Sequence, residues 1–184
     1  LGIGLVFFFQ AMLALIQYQS SAEALQQIVF WSMGSLTRAN WAANGVLAAV
    51  LIIALPILWA LGWRLTALRL GDARATAMGV NTSRLRIVVL IVVSLVAATT
   101  VAFAGIIGFI GLVGPHIARM LVGEDQRYFL PASMAAGAAV MCAAHAVSLM
   151  IKPGLAIPIG IVTSLLGVPF FIAIVMTRRR ALWT

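Results

Sequence analysis

Residues 87–118, IVVLIVVSLVAATTVAFAGIIGFIGLVGPHIA, run for 32 positions without an acid, a lysine or an arginine. As one α-helix the stretch would be about 48 Å long at 1.5 Å per residue. The hydrocarbon core of a bilayer is only about 30 Å thick. The stretch therefore holds either two shorter spans or one span and a re-entrant piece. Gly105, Gly108 and Gly111 mark the break. The expected course is outward over 87–104 and back over 108–121.

Composition says why a bilayer is the reference. Of 184 residues, 64% are hydrophobic and 9% charged, with a mean hydropathy of +1.13. Soluble domains are usually about 45–50% apolar and about 25% charged. One core in a chain of this size could not hide so much apolar surface from water. The net charge of +8 would suggest nucleic acid in a soluble chain. Here the cations sit between apolar runs, without interleaved aromatics, as the positive-inside rule places them. The one cysteine, Cys142, permits no intrachain disulfide and reads as a small core residue. Leu1 opens directly in an apolar run with no basic segment or cleavage pattern, so the chain reads as starting inside a longer protein.

Working outward gives six expected spans: 1–18, 41–61, 87–104, 108–121, 131–151 and 158–177. An S-x-x-E pattern at Ser20 and Glu23 predicts a capping box for a short interfacial helix over 21–33. Trp31 and Trp41 flank a break at Gly34-Ser35, at the boundary tryptophan prefers. Pro56 falls within a span, as membrane helices tolerate. Lys152-Pro153-Gly154 reads as a turn, Pro158 as a helix-start proline, and Arg178 to Arg180 as the stop of the last helix. Six crossings put 62–86, 119–127 and the C-terminal tail on one side, with ten of the twelve basic residues. Only Arg38 and Lys152 fall opposite. A single span at 87–118 would spoil this separation, so the bias supports two crossings and a cytoplasmic arginine-rich side. The helix after Pro131 is rich in alanine and glycine, a pattern for close packing among other helices. The fold class is thus all-α, a polytopic membrane helix bundle, with no strand pattern.

Segment 62–86 carries Arg64, Arg69, Arg74, Arg84 and Arg86 against one acid, Asp72. Within it LGDARATAMG reads as a short helix. Asp72 can cap its start, and Gly79 suits the left-handed position after its end. Asn81 or Thr82 can cap the next helix. Ala73, Ala77 and Met78 on one face make a compact knob, suited either to a soluble partner or to lipid headgroups.

At this point the residues carry a resemblance. LGDARATAMGV resembles the cytoplasmic coupling segment of the permease family of ABC importers for ferric siderophores, haem and cobalamin. GFIGLVGPHIARMLVGEDQRYFLP (108–131) is similar to that family's G-F-x-G-L-x-x-P-H-x-x-R…D-x-R-x-x-L-P signature. IPIGIVTSLLGVPFF (157–171) resembles its final-helix signature, and FWSMGSLTRANW its W-x-x-G-S-L…W segment. The matches are ordered and together cover nearly all of the chain.

The resemblance implies one permease domain over 1–184, supplying about six of roughly ten spans, with 62–86 as coupling segment. It implies a second permease subunit, as homodimer or pair, cytoplasmic ATPase subunits that use ATP, and a periplasmic or surface-anchored substrate-binding protein. The chain itself would bind no cofactor and no metal, in the bacterial inner membrane with a cytoplasmic C-terminus. By the match Asp72, Ala73, Arg74, Ala77, Met78 and Gly79 form the ATPase-coupling element, and Pro115, His116, Arg119 and Arg127 a cytoplasmic motif. Glu23, Arg38 and Lys152, the only outside charges, become the contacts for a binding protein. Gly105, Gly108 and His145 fall to pathway or packing roles. His145 departs from the family, which often has Asp there. With Cys142 it also suggests a soft-metal path, against which stands a hydrogen-bonded, packed histidine.

The leading function is a permease moving a ferric siderophore or related iron chelate, with haem or cobalamin as the alternative within the family. The chain has no G-x-x-x-x-G-K-[ST] ATP-binding loop and no H-E-x-x-H metal pair, so neither an ATPase nor a metalloprotease is legible. Its two histidines have no carboxylate close in sequence, which argues against an intramembrane enzyme. An ion-coupled secondary transporter would carry acids inside its spans, whereas all four acids here lie outside them.

Overall fold

Every spanning segment must close its own backbone hydrogen bonds, because the bilayer core offers no water. The computed structural model describes residues 1–151 and 157–180, except the side chains of 173–175 and 177–180, and among these residues the regular elements are all helical. In order they are α1 (Gly2–Gln19), α2 (Ala22–Ser32), α3 (Trp41–Ala60), α4 (Gly62–Leu68), α5 (Asp72–Ala77), α6 (Thr82–Ala104), α7 (Ile110–Val122), α8 (Gln126–Ile151) and α9 (Ile159–Arg180). Four of them, α1, α3, α6 and α8, are long and apolar enough to cross a membrane, and α7 and the front of α9 are shorter apolar helices.

The break in 87–118 falls where the glycines put it. Helix α6 ends at Ala104 and α7 begins at Ile110, two residues later than expected. The delay comes from Phe109, which precedes α7 in a left-handed conformation (φ 66°). Its ring occupies the space that a side chain at Gly167 of α9 would need. At 13 residues, α7 is only about 20 Å long. The return leg is therefore a helix about two thirds as long as the core is thick, preceded by irregular backbone.

Irregular backbone at membrane depth is tolerated only when protein covers it. Here the cover is a junction of three chain segments. The Ser35 N–H donates to the Ala104 carbonyl at 2.9 Å, the Ile159 N–H to Gly34 at 3.2 Å and the Gly160 N–H to Met33 at 3.1 Å. The Trp31 indole N–H donates to the Ala102 carbonyl at 3.3 Å. Gly105 sits at φ +76°, and a Cβ there would strike the Trp31 carbonyl and lie 2.9 Å from the Gly34 Cα. A Cβ at Gly160 would strike the Met33 carbonyl in the same way. Beside the junction Ala144, Ile159 and Val162 form one small core, and the Ser148 hydroxyl donates to the Ile157 carbonyl.

Helix α7 lies along α8, with Gly114 facing Gly137. A Cβ on Gly114 would come within 3.1 Å of the Gly137 backbone and 3.2 Å of the Ser133 carbonyl. Small residues thus set this spacing, as membrane packing requires. Other expectations are corrected. Helix α8 buries only one face within this chain: Ala144 and Ser148 are buried, whereas Ala135, Ala138, Ala139 and Ala143 are exposed. Cys142 is likewise exposed rather than in a core. Helix α8 also starts at Gln126, not near Pro131. The Asp125 carbonyl takes the Tyr128 and Phe129 N–H groups, and this first turn precedes the proline. The backbone of α9 stays helical through Arg180, past the arginines expected to stop it, because arginine is a good helix former and no Gly or Pro follows Pro169 within the helix.

The S-x-x-E capping box does not form. Ser20 turns back to the Ile16 carbonyl at 2.6 Å, and Ser21 caps α2 by accepting from the Ala24 N–H at 3.3 Å. Glu23 thereby falls in the first turn. Hydrogen bonds from its own backbone N–H and from Ser21 hold its carboxyl below the usual range. Lys152 and the turn expected at 152–154 lie outside the described residues.

The junction makes a sharp prediction. Gly105→Ala combines left-handed strain with a backbone clash and should cost roughly 2 kcal/mol or more. It should lower the unfolding midpoint of the purified protein by several degrees. Gly111→Ala, six residues on, meets open space and should leave that midpoint unchanged or slightly raised.

Candidate functional site

The arginine-rich face is built from three short pieces. Helix α4 follows α3 almost without a break, sharing Leu61 as the flanking residue. Gly62 lets α4 approach the start of α8, where the Arg127 side chain lies 3.6 Å from its missing Cβ. The Thr66 hydroxyl oxygen accepts the Gln126 N–H at 3.1 Å. Residues 69–71 then turn the chain, and Gly71 (φ +98°) delivers it into α5.

Asp72 does not cap α5, contrary to expectation. Gly71 takes the cap position without a side-chain bond, so Asp72 is already helical. Its carbonyl accepts the Thr76 hydroxyl at 2.8 Å. Its carboxylate is left to pair with Arg86 of α6 at 2.6 Å. Both partners are about half exposed, so the pair contributes ~1 kcal/mol at most. Its value is positional, because it ties the front of α5 to the foot of α6.

The end of α5 matches the sequence reading. Gly79 is left-handed at φ +81°. The Gly79 N–H donates to Thr76 at 2.9 Å and the Val80 N–H to Ala75 at 3.0 Å. This paired pattern satisfies the last carbonyls of the helix and carries an apolar contact with it. Val80 and Ala75 supply that contact, buried with Ala67 and Leu85 under Leu61, Leu65, Leu68 and Val89. Asn81 then caps α6 by accepting the Arg84 N–H at 3.0 Å. With Ala75 turned inward, Ala73, Arg74, Ala77 and Gly79 stand exposed, and so does Met78 at 54%.

A second set of contacts joins this knob to the α7–α8 turn, and the sequence reading missed it. Arg69 pairs with the Glu124 carboxylate at 2.7 Å and donates to the Glu124 carbonyl at 3.1 Å. Arg119, at the end of α7, approaches the other Glu124 oxygen at 3.5 Å and lies over the Phe129 ring. Asp125 accepts the Arg127 N–H at 3.0 Å. A groove of about 240 Å³ between the two sets is lined by Trp63, Thr66, Leu70, Met78, Asp125 and Arg127. The signal available in sequence was the alternation of charges at 119–127 opposite Arg69, but nothing in one dimension pairs positions 55 apart.

The remaining candidates separate. Arg119 and Arg127 join the knob, whereas His116, one turn up α7 beside Pro115, meets the Phe170 ring edge-on at 5.5 Å. Gly105 belongs to the opposite junction. Gly108 lies near it, where a Cβ would be 3.8 Å from the Ser164 hydroxyl. Glu23 and Arg38 stand exposed at that end and form no ion pair with each other among the described residues. His145 is half-buried in α8 and gathers no metal-binding set among the described residues.

Several known proteins are similar to this chain along most of its length. The hemin transport system permease protein of Yersinia pestis is 36% identical over 92% of this chain and 51% of its own length. The Fe(3+)-citrate import system permease protein of Bacillus subtilis is 40% identical, over 83% and 46%. The molybdate import system permease protein of Haemophilus influenzae is 38% identical, over 94% and 51%. The chain thus spans about half the length of the curated relatives it matches. A solved ABC transporter, described as of metal-chelate type and inward-facing, superposes with a TM-score of 0.90 at 37% identity, over 96% of this chain and 57% of that one. The model of the FecCD transport family matches residues 1–177, and the chain belongs to that family.

Proposed function

We propose that this chain is the second half of the permease subunit of a binding-protein-dependent ABC importer, carrying a ferric siderophore or related iron chelate through the inner membrane. The observation that carries the reading is the α5 knob. It is a short, doubly anchored helix that exposes Ala73, Ala77 and Met78 beside Arg74, on the side with most of the arginines. Relatives named for hemin, Fe(3+)-citrate and molybdate support import of a chelated or oxyanionic metal species as the class. Haem and cobalamin are the alternative cargoes within it.

In this reading the chain does no chemistry. ATP is bound and hydrolysed by separate ATPase subunits, which dock on Ala73, Ala77, Met78 and the groove between Leu70 and Arg127. The Arg86 tie and the Arg69–Glu124 pair anchor the knob, so a push on α5 is passed to α6 and α7 rather than lost in a loop. A second permease subunit completes the pathway. The substrate-binding protein meets the outer end near Glu23, Arg38 and Lys152. The arginine-rich face and the C-terminus are cytoplasmic, as the charge bias requires.

Met78→Glu tests docking without touching the buried side of the knob. In cells that depend on this permease, uptake of a labelled ferric siderophore should fall roughly tenfold or more, with membrane levels unchanged and less ATPase subunit co-purified. Unchanged uptake together with no ATPase in the purified complex would sink the importer reading. Asp72→Arg alone should reduce uptake a few-fold, and adding Arg86→Asp should restore much of it, since the tie is an exposed pair of modest strength.

Sidedness has its own check. In a Cys142→Ser background, Arg38→Cys should react with a membrane-impermeant maleimide in intact, outer-membrane-permeabilised cells. Met78→Cys should react only after the inner membrane is opened. The reverse pattern would invert the proposed topology.

A further inference from the structure

A groove of about 290 Å³ opens between the α3–α4 junction and the foot of α6, bordered by Gly79, Val80 and Asn81 where the knob passes into α6. Its floor is Leu61, Leu85 and Val88, and its mouth carries Trp63, Arg64 and Arg84. Arg64 lies 5.4 Å over the Trp63 ring. Arg69, Arg86 and Arg119 each find an acid, whereas Arg64 and Arg84 form no ion pair among the described residues. Two guanidinium groups therefore face an apolar slot without a counter-charge. Val88 lies seven residues beyond the Asn81 cap, about 10 Å further along α6. The slot runs from the polar level of the cap into the apolar body of the span.

We propose that this groove holds an anionic phospholipid, its phosphate at Arg64 and Arg84 and one acyl chain along Leu61, Leu85 and Val88. Charge complementarity selects the headgroup, since paired guanidinium donors match phosphate oxygens. Basic pockets between membrane helices on the cytoplasmic side are sites of this kind. Depth selects the lipid: a free phosphate would leave the floor uncovered, and a soluble protein surface would have to reach below the helix cap. Trp63 at the mouth matches the boundary preference of indole. The site rests on the proposed topology only for which leaflet supplies the lipid.

The test uses the intact permease with its co-purified ATPase, equilibrated with equal amounts of phosphatidylglycerol and phosphatidylcholine. Retained lipid is counted by native mass spectrometry. Wild type should prefer phosphatidylglycerol roughly tenfold, and 10-fold dilution into buffer containing inorganic phosphate should leave that preference in place. Arg64→Gln with Arg84→Gln should abolish it, whereas Arg64→Lys with Arg84→Lys should keep part of it. Independently of any arginine variant, phosphatidylglycerol brominated in its acyl chains should quench the part of the fluorescence that Trp63→Phe removes. Brominated phosphatidylcholine should quench it less. Equal retention of the two lipids by wild type, or displacement by inorganic phosphate, would overturn the proposal. So would a Gln variant that loses ATPase but keeps the lipid preference, because the groove would then be a protein-docking surface. None of these readouts requires transport, so their failure is distinguishable from failure of the importer reading.

Discussion

The demand that backbone groups be satisfied away from water governs the whole arrangement. An apolar stretch of 32 residues had to break, and its break exposes N–H and C=O groups at a depth where lipid offers no partners. The solution is to bring two other irregular segments to the same place: the turn after α2 and the start of α9. Their backbones approach closely enough to bond only because Gly34, Gly105 and Gly160 have no side chains to separate them. Once these three points are fixed, α6, α7 and α9 are fixed at their ends away from the arginine-rich face. The Gly114–Gly137 contact then sets α8 against α7.

The opposite end solves a different problem, that of making a six-residue helix rigid. Helices this short are not stable by propensity, since nucleation costs more than one turn returns. Tertiary contacts hold α5 instead. Ala75 is fully buried under α4 and α6, Gly79 ends the helix without strain, and Asp72 is tied to Arg86. Arg69 and Glu124 lock the same assembly to the end of α7. The exposed face is then free of structural duty, which is what a docking surface needs.

Much of this was legible from sequence because it depends on local chemistry. Glycine at 79 is a one-residue decision with a known backbone consequence and is as read, and of the two caps left open for α6, Asn81 and Thr82, the structure takes Asn81. The break at 105–108 followed from length against bilayer thickness. What failed were single placements: Ser20 as the cap of α2, Asp72 as the cap of α5 and Pro131 as the start of α8, where the structure has Ser21, Gly71 and Gln126. Each was settled by a contact elsewhere, such as Arg86 drawing the Asp72 carboxylate away. The Arg69–Glu124 pair and the Phe109–Gly167 contact join positions 55 and 58 apart, where no periodicity could connect them. The exposed alanines of α8 show the opposite limit. Small side chains permit close packing, but they do not say where a partner surface lies, and within this chain only the Gly137, Ala144 and Ser148 side of α8 is covered.

The two ends are connected by the helices that the break creates. Helix α6 starts after the Asn81 cap beside the knob and ends at Ala104, with Gly105 in the three-segment junction. Helix α7 starts at Ile110 near that junction and ends at Val122, with Arg119 of its last turn beside Glu124. A displacement of α5 therefore meets two stiff members leading to the same three glycines. At that point the chain is not helical, so it can rotate without breaking an i to i−4 ladder. In the importer reading, this gives the irregular 105–109 segment a mechanical reason to exist. An uninterrupted helix would have overrun the bilayer core, and it would have no place away from the arginine-rich face at which motion from that face could be turned into a change of shape.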